Sequence, residues 1–467
     1  MMMFLSLATA LALTVPSDVL ARMEVVRQTA ARFGQEIWPG WNPGATPFGV
    51  YRSGDFIAIA GAKQLPAPFT MYAAGTESSE PIFVAPTSAF PGLQLANTTA
   101  KIGDLQIALV SADDLMARAT TEEAAAFGMH ELFHAYQRKI APDKQGNILV
   151  MLWGEYPEFS ARNRVMLQME GEALCDAISA PTPEETMRHV ADFLGYRAER
   201  RKELAPELIR YESGEESSEG LASYIEYKLL ETAFPQRADL RTKRLDALSY
   251  VYKLPNDRER FYVLGMAEAI VLDKVRPGWK REYESSDLMV DGVLAKVTTP
   301  TPATRQWGPL IEQEQKQIAE LESAGSRRIG MMLAKGRKVV VEVANAKHKL
   351  QLRGINPNMI VQLTPNHTAF TYLLLDLDDM KLEFTGVPVI YEKQQDAFWC
   401  MLPPDVVDKA LENMGDKLTI AGRGFKMEFQ YYEVDRRGNE VRIRPAAAPE
   451  KKAPTKPEFV KPVKPGV

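Results

Sequence analysis

The stretch TTEEAAAFGMHELFHAYQRKI, residues 120–140, decides how the rest of the chain is read. Thr120 followed three residues later by Glu123 is a capping box, a local signal that starts a helix. On that helix His130 and His134 stand four residues apart, so their side chains lie on one face, one turn apart. Glu131 projects about 100° round the helix from His130. The chain has only five histidines, and two of them fall here. One reading is a core helix whose two histidines are satisfied by their neighbours. The other is a pair of imidazoles aimed at one cation, with a carboxylate beside it.

The second reading requires a third ligand. A catalytic zinc site uses three protein ligands and keeps a fourth position open. Zinc lowers the pKa of a bound water towards about 7, and Glu131 would take the proton as that water attacks. No histidine follows closely in HELFHAYQRKI, which excludes the HExxHxxGxxH arrangement. Glu170 and Glu172, in QMEGEALCD, sit mid-helix among small and apolar residues and read as packing or supporting groups. Glu219, in SSEGLASYIEYKL, lies near a helix start and is the best third ligand for Zn2+. Tyr224 and Glu226 follow on the same helix. Glu226 reads as a helix-surface carboxylate, with bracing of a ligand as the alternative.

At this point the sequence resembles a family. EGLASYIEY is similar to the third-ligand helix of the aminopeptidase-N-like gluzincins, whose pattern is roughly NEGFAxYxEY. The resemblance implies that His130, His134 and Glu219 bind zinc and that Glu131 is the base. FYVLGMAEAIVL supplies a Tyr-x-x-Gly pattern, Tyr262 to Gly265. There the resemblance implies a phenol that stabilises the developing oxyanion; an ordinary helix-face aromatic is the alternative. The chain departs from that family in two ways. The gap from His134 to Glu219 is long and holds two further helices, and no Gly-x-Met-Glu-Asn segment grips a free amine. EGEAL together with EGLASY looks closer to a less-characterised secreted bacterial group of gluzincin-like proteins. The expected function is a zinc-dependent metallopeptidase acting on a peptide or protein substrate. A zinc hydrolase of a non-peptide amide or ester, and an inactive envelope-binding protein, are the alternatives.

Composition bounds the rest. The chain has 467 residues, 45% hydrophobic and 25% charged, which fits a globular protein with two or three cores. Its net charge of -5 gives no basic face for nucleic acid. Cys175 and Cys400 are too few for a disulfide framework and read as two buried thiols, with one long-range disulfide as the minority reading. Residues 4–15 form an apolar run of signal-peptide length, with no Lys or Arg before it. Residues 1–21 are therefore read as a signal peptide, implying a secreted or periplasmic protein, against the alternative of a buried helix start. No other segment is apolar enough to cross a membrane.

The expected fold is α+β, a mainly helical zincin-type domain with a small N-terminal strand region and a C-terminal all-β domain. Residues 22–115 read as an α/β part of the catalytic domain, with a helix over 22–33 and strands at 55–60, 81–85 and 105–110. The strand at 105–110 is expected to offer an edge to an extended substrate. Residues 116–335 read as helical, 336–445 as a β-sandwich-like accessory domain, and 446–467 as a disordered Pro/Lys-rich tail.

Overall fold

The computed structural model describes residues 13–72, 80–90, 97–254, 257–302, 307–343, 350–377 and 379–446. The chain is α+β, and its contacts divide it into two units: Met1–Ser326 with Asn356–Thr368, and Arg327–Ile355 with Ala369–Val467.

The first unit opens on α1 (Ser17–Ile37), followed by six strands: β1 (Phe48–Tyr51), β2 (Phe56–Ala60), β3 (Thr70–Met71), β4 (Ile82–Pro86), β5 (Thr98–Ile102) and β6 (Leu105–Ser111). They form one sheet in the order β3-β4-β2-β1-β6-β5. β1 pairs parallel with β6 and antiparallel with β2. Every residue of β1 and β2 is buried, which is why they read as continuous apolar runs rather than alternating ones.

The sheet order corrects one expectation. The strand read at 105–110 is β6, and it lies between β1 and β5, so it offers no free edge. The polar NTTAKI segment forms β5, which pairs antiparallel with β6 and takes the edge position instead. Its threonines and lysine concealed it, because an edge strand needs little apolar surface.

The helices follow in chain order: α2 (Ala112–Met116), α3 (Thr121–Ile140), α4 (Leu149–Leu152), α5 (Ala161–Ser179), α6 (Pro183–Arg201) and α7 (Pro206–Glu215). Next come α8 (Leu221–Thr232), α9 (Ala238–Asp246), α10 (Asp257–Val275), α11 (Trp279–Ser285), α12 (Val290–Leu294) and α13 (Gly308–Leu333). The local start signals act as chemistry requires. Thr120 and Glu123 exchange both capping-box bonds at α3. Thr182 accepts the Glu185 amide ahead of Pro183 at α6. Between α7 and α8 the chain makes a five-residue π turn, Glu216–Gly220. Such turns insert an extra residue into a helix and are frequent at functional sites.

Two aromatic residues fix α3 from behind. Trp38 and Trp41 are buried, with ring centroids 4.9 Å and 5.1 Å from that of Phe133, inside the HELFH segment. The WPGW stretch therefore packs against α3. Residues 1–12 of the segment read as a leader lie outside the described residues. α1 begins at Ser17, earlier than the helix read from residue 22, and Val15, Val19 and Leu20 are buried. A cut after Ala21 would remove all three.

In the second unit five neighbouring strands of one sheet run in the order Tyr432–Arg437, Glu440–Pro445, Arg337–Glu342, Ala397–Leu402, Val389–Glu392. A five-stranded sheet runs Leu418–Gly422, Phe425–Phe429, Met380–Phe384, Leu373–Leu377, Leu350–Ile355. The unit also holds a helix, Pro404–Glu412, in a stretch expected to be all β. Residues 447–467 of the proposed tail, and His348, lie outside the described residues. Cys175 and Cys400 are both free; Cys400 is buried and Cys175 half-buried. Among the described residues no helix is long and apolar enough to cross a membrane.

Candidate metal centre

Three side chains from two helical rods converge. α3 supplies His130 and His134, and the π turn supplies Glu219. One donor atom from each lies within 4.8 Å of the other two. Both His130 Nε2 and His134 Nε2 stand 3.3 Å from Glu219 Oε2. Zinc bonds of about 2.0–2.1 Å in a tetrahedron give ligand-to-ligand separations of about 3.3 Å, so the two imidazole–carboxylate spacings suit such an ion. The three side chains are 9%, 14% and 12% exposed, enough for one open side. This buried His-His-Glu group fits a metal ion by spacing and donor type.

The opposite nitrogens of both rings are held. His130 Nδ1 lies 2.7 Å from Glu226 Oε1, and Glu226 is in turn bonded by Arg244. Glu226 is thus a brace, not a helix-surface group. Burial pushes its pKa up, but Arg244 and His130 hold it down at about 2. His134 Nδ1 lies 2.8 Å from Gln137 Oε1. A carboxylate and an amide oxygen only accept, so each ring carries its proton on Nδ1 and turns Nε2 towards Glu219. Burial opposes charge on His130, yet Glu219 and Glu226 on its two nitrogens push its pKa up to about 10 without a metal. The pocket is built to hold positive charge.

Glu131 is 5% exposed, and its Oε2 is buried with no hydrogen-bond partner among the described residues. Burial raises its pKa, while His134 and His130 pull it down. A buried carboxylate oxygen left unpaired beside three converging donors suits a proton acceptor awaiting its water.

α10 crosses the π turn at backbone contact and brings two more groups. A Cβ on Gly220 would stand 2.6 Å from Gly265 Cα, and one on Gly265 would stand 2.3 Å from the Glu216 carbonyl oxygen. Only glycine permits this approach. It sets Tyr262 over the site, with its ring centroid 6.3 Å from that of His130. Burial and the Glu219 carboxylate hold the phenol well above its ordinary value, against the pull of Arg258, so it remains a donor. One turn earlier, Arg258 donates to Glu219 Oε1 and, at 2.8 Å, to Glu215 Oε2, and its guanidinium lies 5.1 Å from the Tyr262 ring centroid. Arg258 therefore takes one oxygen of Glu219 and leaves the other to the histidines. Although burial raises the pKa of Glu219, Arg258 and the two histidines hold it well below the carboxylate range.

Glu170 and Glu172, weighed as alternative third ligands, lie elsewhere, as do the two remaining described histidines. Glu170 is fully buried and bonded to Arg197 and Arg200. Glu172 accepts from Gln168. His189 is half-buried on α6, and His367 pairs with Thr364. Sequence reasoning missed Arg258 and Gln137. The available signal was spacing alone, Arg258 four residues before Tyr262 and Gln137 three after His134.

Comparison of the chain with protein families, with curated proteins and with solved structures returns no match.

Proposed function

We propose that this chain is a gluzincin-like zinc hydrolase that cleaves peptide bonds. The observation that carries the reading is the convergence of His130, His134 and Glu219 beside a Glu131 carboxylate with an unpaired oxygen. His130, His134 and Glu219 would hold Zn2+, which supplies Lewis acidity when bound. Glu131 takes the proton of the attacking water and passes it to the leaving amine. The Tyr262 phenol, kept protonated by burial, donates to the oxyanion that develops on the substrate carbonyl. Glu226 and Arg258 keep the ligand set oriented.

The test is metal analysis with a peptide-library assay on wild type and Glu131→Gln. About one zinc per chain is expected in both. Hydrolysis should fall by about 10²–10⁴-fold in the variant, the usual contribution of a general base. Zinc retained with unchanged turnover would refute the mechanism, and a protein that takes up no zinc would refute the whole reading. An active protein that ignores peptides but cleaves acyl amides or esters would move the substrate class and leave the centre intact.

A further inference from the structure

The π turn that carries Glu219 and the helix that carries His134 are joined by one buried side chain. Gln137 is 1% exposed. Its Nε2 donates to the carbonyl oxygens of Ser217 at 3.0 Å and Ser218 at 2.9 Å. A π turn disturbs the helical hydrogen-bond ladder, so carbonyls within it need partners from outside. Both lie in the turn immediately before Glu219. A carbonyl oxygen can only accept, so the amide nitrogen of Gln137 must face the turn and its oxygen must face away. That oxygen meets His134 Nδ1 at 2.8 Å. The amide therefore has one orientation, and the ring of His134 turns Nδ1–H to it, which leaves Nε2, facing Glu219, as the nitrogen a metal would take.

We propose that Gln137 is a positioning residue that couples the two ligand-bearing helices. It reads the π turn through its amide nitrogen and presents Nε2 of His134 through its oxygen. The inference rests on the metal-centre reading above. Glu226 does the same for His130 from the other side, but its brace comes from Arg244 and not from the turn. Gln137 alone among the described residues links a ligand imidazole to the backbone that places the ligand carboxylate.

The test uses the full chain as wild type, Gln137→Met and Gln137→Glu, each stripped of metal. Zinc affinity is measured by competition with a chromophoric chelator at a temperature where thermal melts show the metal-free proteins folded. Methionine fills the space and bonds neither partner. Its zinc affinity should fall by about 10–100-fold, the usual effect of losing such a support. Glutamate keeps an oxygen for His134 Nδ1 but offers the Ser217 and Ser218 carbonyls no donor, so it cuts the link to the turn alone and should lose about tenfold in zinc affinity. A purely structural role would lower melting temperatures and leave the affinity of folded protein unchanged. Wild-type affinity in the methionine variant overturns the proposal while the metal centre stands. A wild type that binds no zinc overturns both. Should the methionine variant fail to fold, the glutamate variant decides: a loss of about tenfold in the folded protein upholds the coupling, and wild-type affinity overturns it.

Discussion

Arg258 is the residue on which the electrostatics of the centre turn, and nothing in its local sequence announces it. It is 12% exposed, and it bonds Glu215 and Glu219, which are themselves 5% and 12% exposed. Removing one partner from a buried charge network leaves the other charges uncompensated. Arg258→Leu should therefore destabilise the metal-free protein by about 3–5 kcal/mol. A cation bound by Glu219 takes over part of that compensation, so the loss should be smaller with zinc present. Guanidinium unfolding with chelator and with excess zinc measures both. Equal losses in the two conditions would mean that Arg258 serves Glu215 and not the centre. The two histidines and Glu131 were legible because a helix repeat places them by counting, and Glu219 because its stretch resembles a known ligand motif. Arg258 and Glu226 act across helices, and Gln137 meets the π turn as well as His134; counting along one helix cannot show those partners.

The π turn is the decisive element. α7, the turn and α8 follow one another without a break from residue 206 to residue 232, and the turn Glu216–Gly220 carries the Glu219 that meets the histidines of α3. The sequence announced the start of α8 but not α7, because PELIRYESGEESSEG is polar and holds two glycines that ordinarily weaken a helix. The caps at Thr120 and Thr182 were legible because they depend on residues three positions apart. A π turn depends instead on what packs against it, here the backbone of α10 at Gly265 and the amide of Gln137. Gly265→Ala would place a methyl 2.3 Å from the Glu216 carbonyl oxygen and 2.7 Å from its Cα, with only backbone to yield. The expected cost is about 1–3 kcal/mol of overpacking. The displaced α10 should also carry Tyr262 away, lowering kcat more than zinc affinity. A thermal melt, a turnover assay and chelator competition on one preparation separate these effects. An alanine variant with wild-type melting and turnover would show that the two elements need no such approach.

At the scale of the molecule, the chain makes one return between its two units. Asn356–Thr368, expected within the β region, clusters with the first unit, where Asn358 accepts from Arg258 at 3.3 Å. The larger surprise is charge. RAERRKEL has the pattern of a solvated helix end, yet Arg197 and Arg200 are 3% and 2% exposed. With Arg201 they meet five carboxylates, Glu170, Glu212, Glu216, Glu268 and Asp291, drawn from α5, α7, the π turn, α10 and α12. Carboxylates outnumber guanidinium groups, so the cluster cannot ionise fully at low cost. Burial raises Glu212 and Asp291, but Arg200 and Arg201 hold the first down at about 2, and Arg201 and Arg197 the second. Their folded values lie below the unfolded ones, so their stabilisation is present above about pH 4.5 and is lost as pH falls towards 2. Burial pushes Glu216 up to about 7 although Arg197 opposes it. The folded state then binds the extra proton between about pH 4.5 and 7, so stability declines as pH rises through that window. Urea unfolding across pH 2–8 should therefore show a maximum in the mildly acidic range, and a steady rise to pH 8 would contradict it. Glu268 supplies the sharper contrast. Burial and Glu216 raise it well above the usual carboxylate range despite Arg197, and its Oε2 is buried without a hydrogen-bond partner among the described residues. A carboxyl that burial and Glu216 push towards its neutral form is closer to an amide of the same shape, so Glu268→Gln should cost clearly less than the loss of an ionised partner. Glu212→Gln, which removes an ionised partner of Arg200 and Arg201, should cost about 3–5 kcal/mol at pH 7. Equal losses would place a full negative charge on Glu268, and the shared-proton account of the cluster would fail.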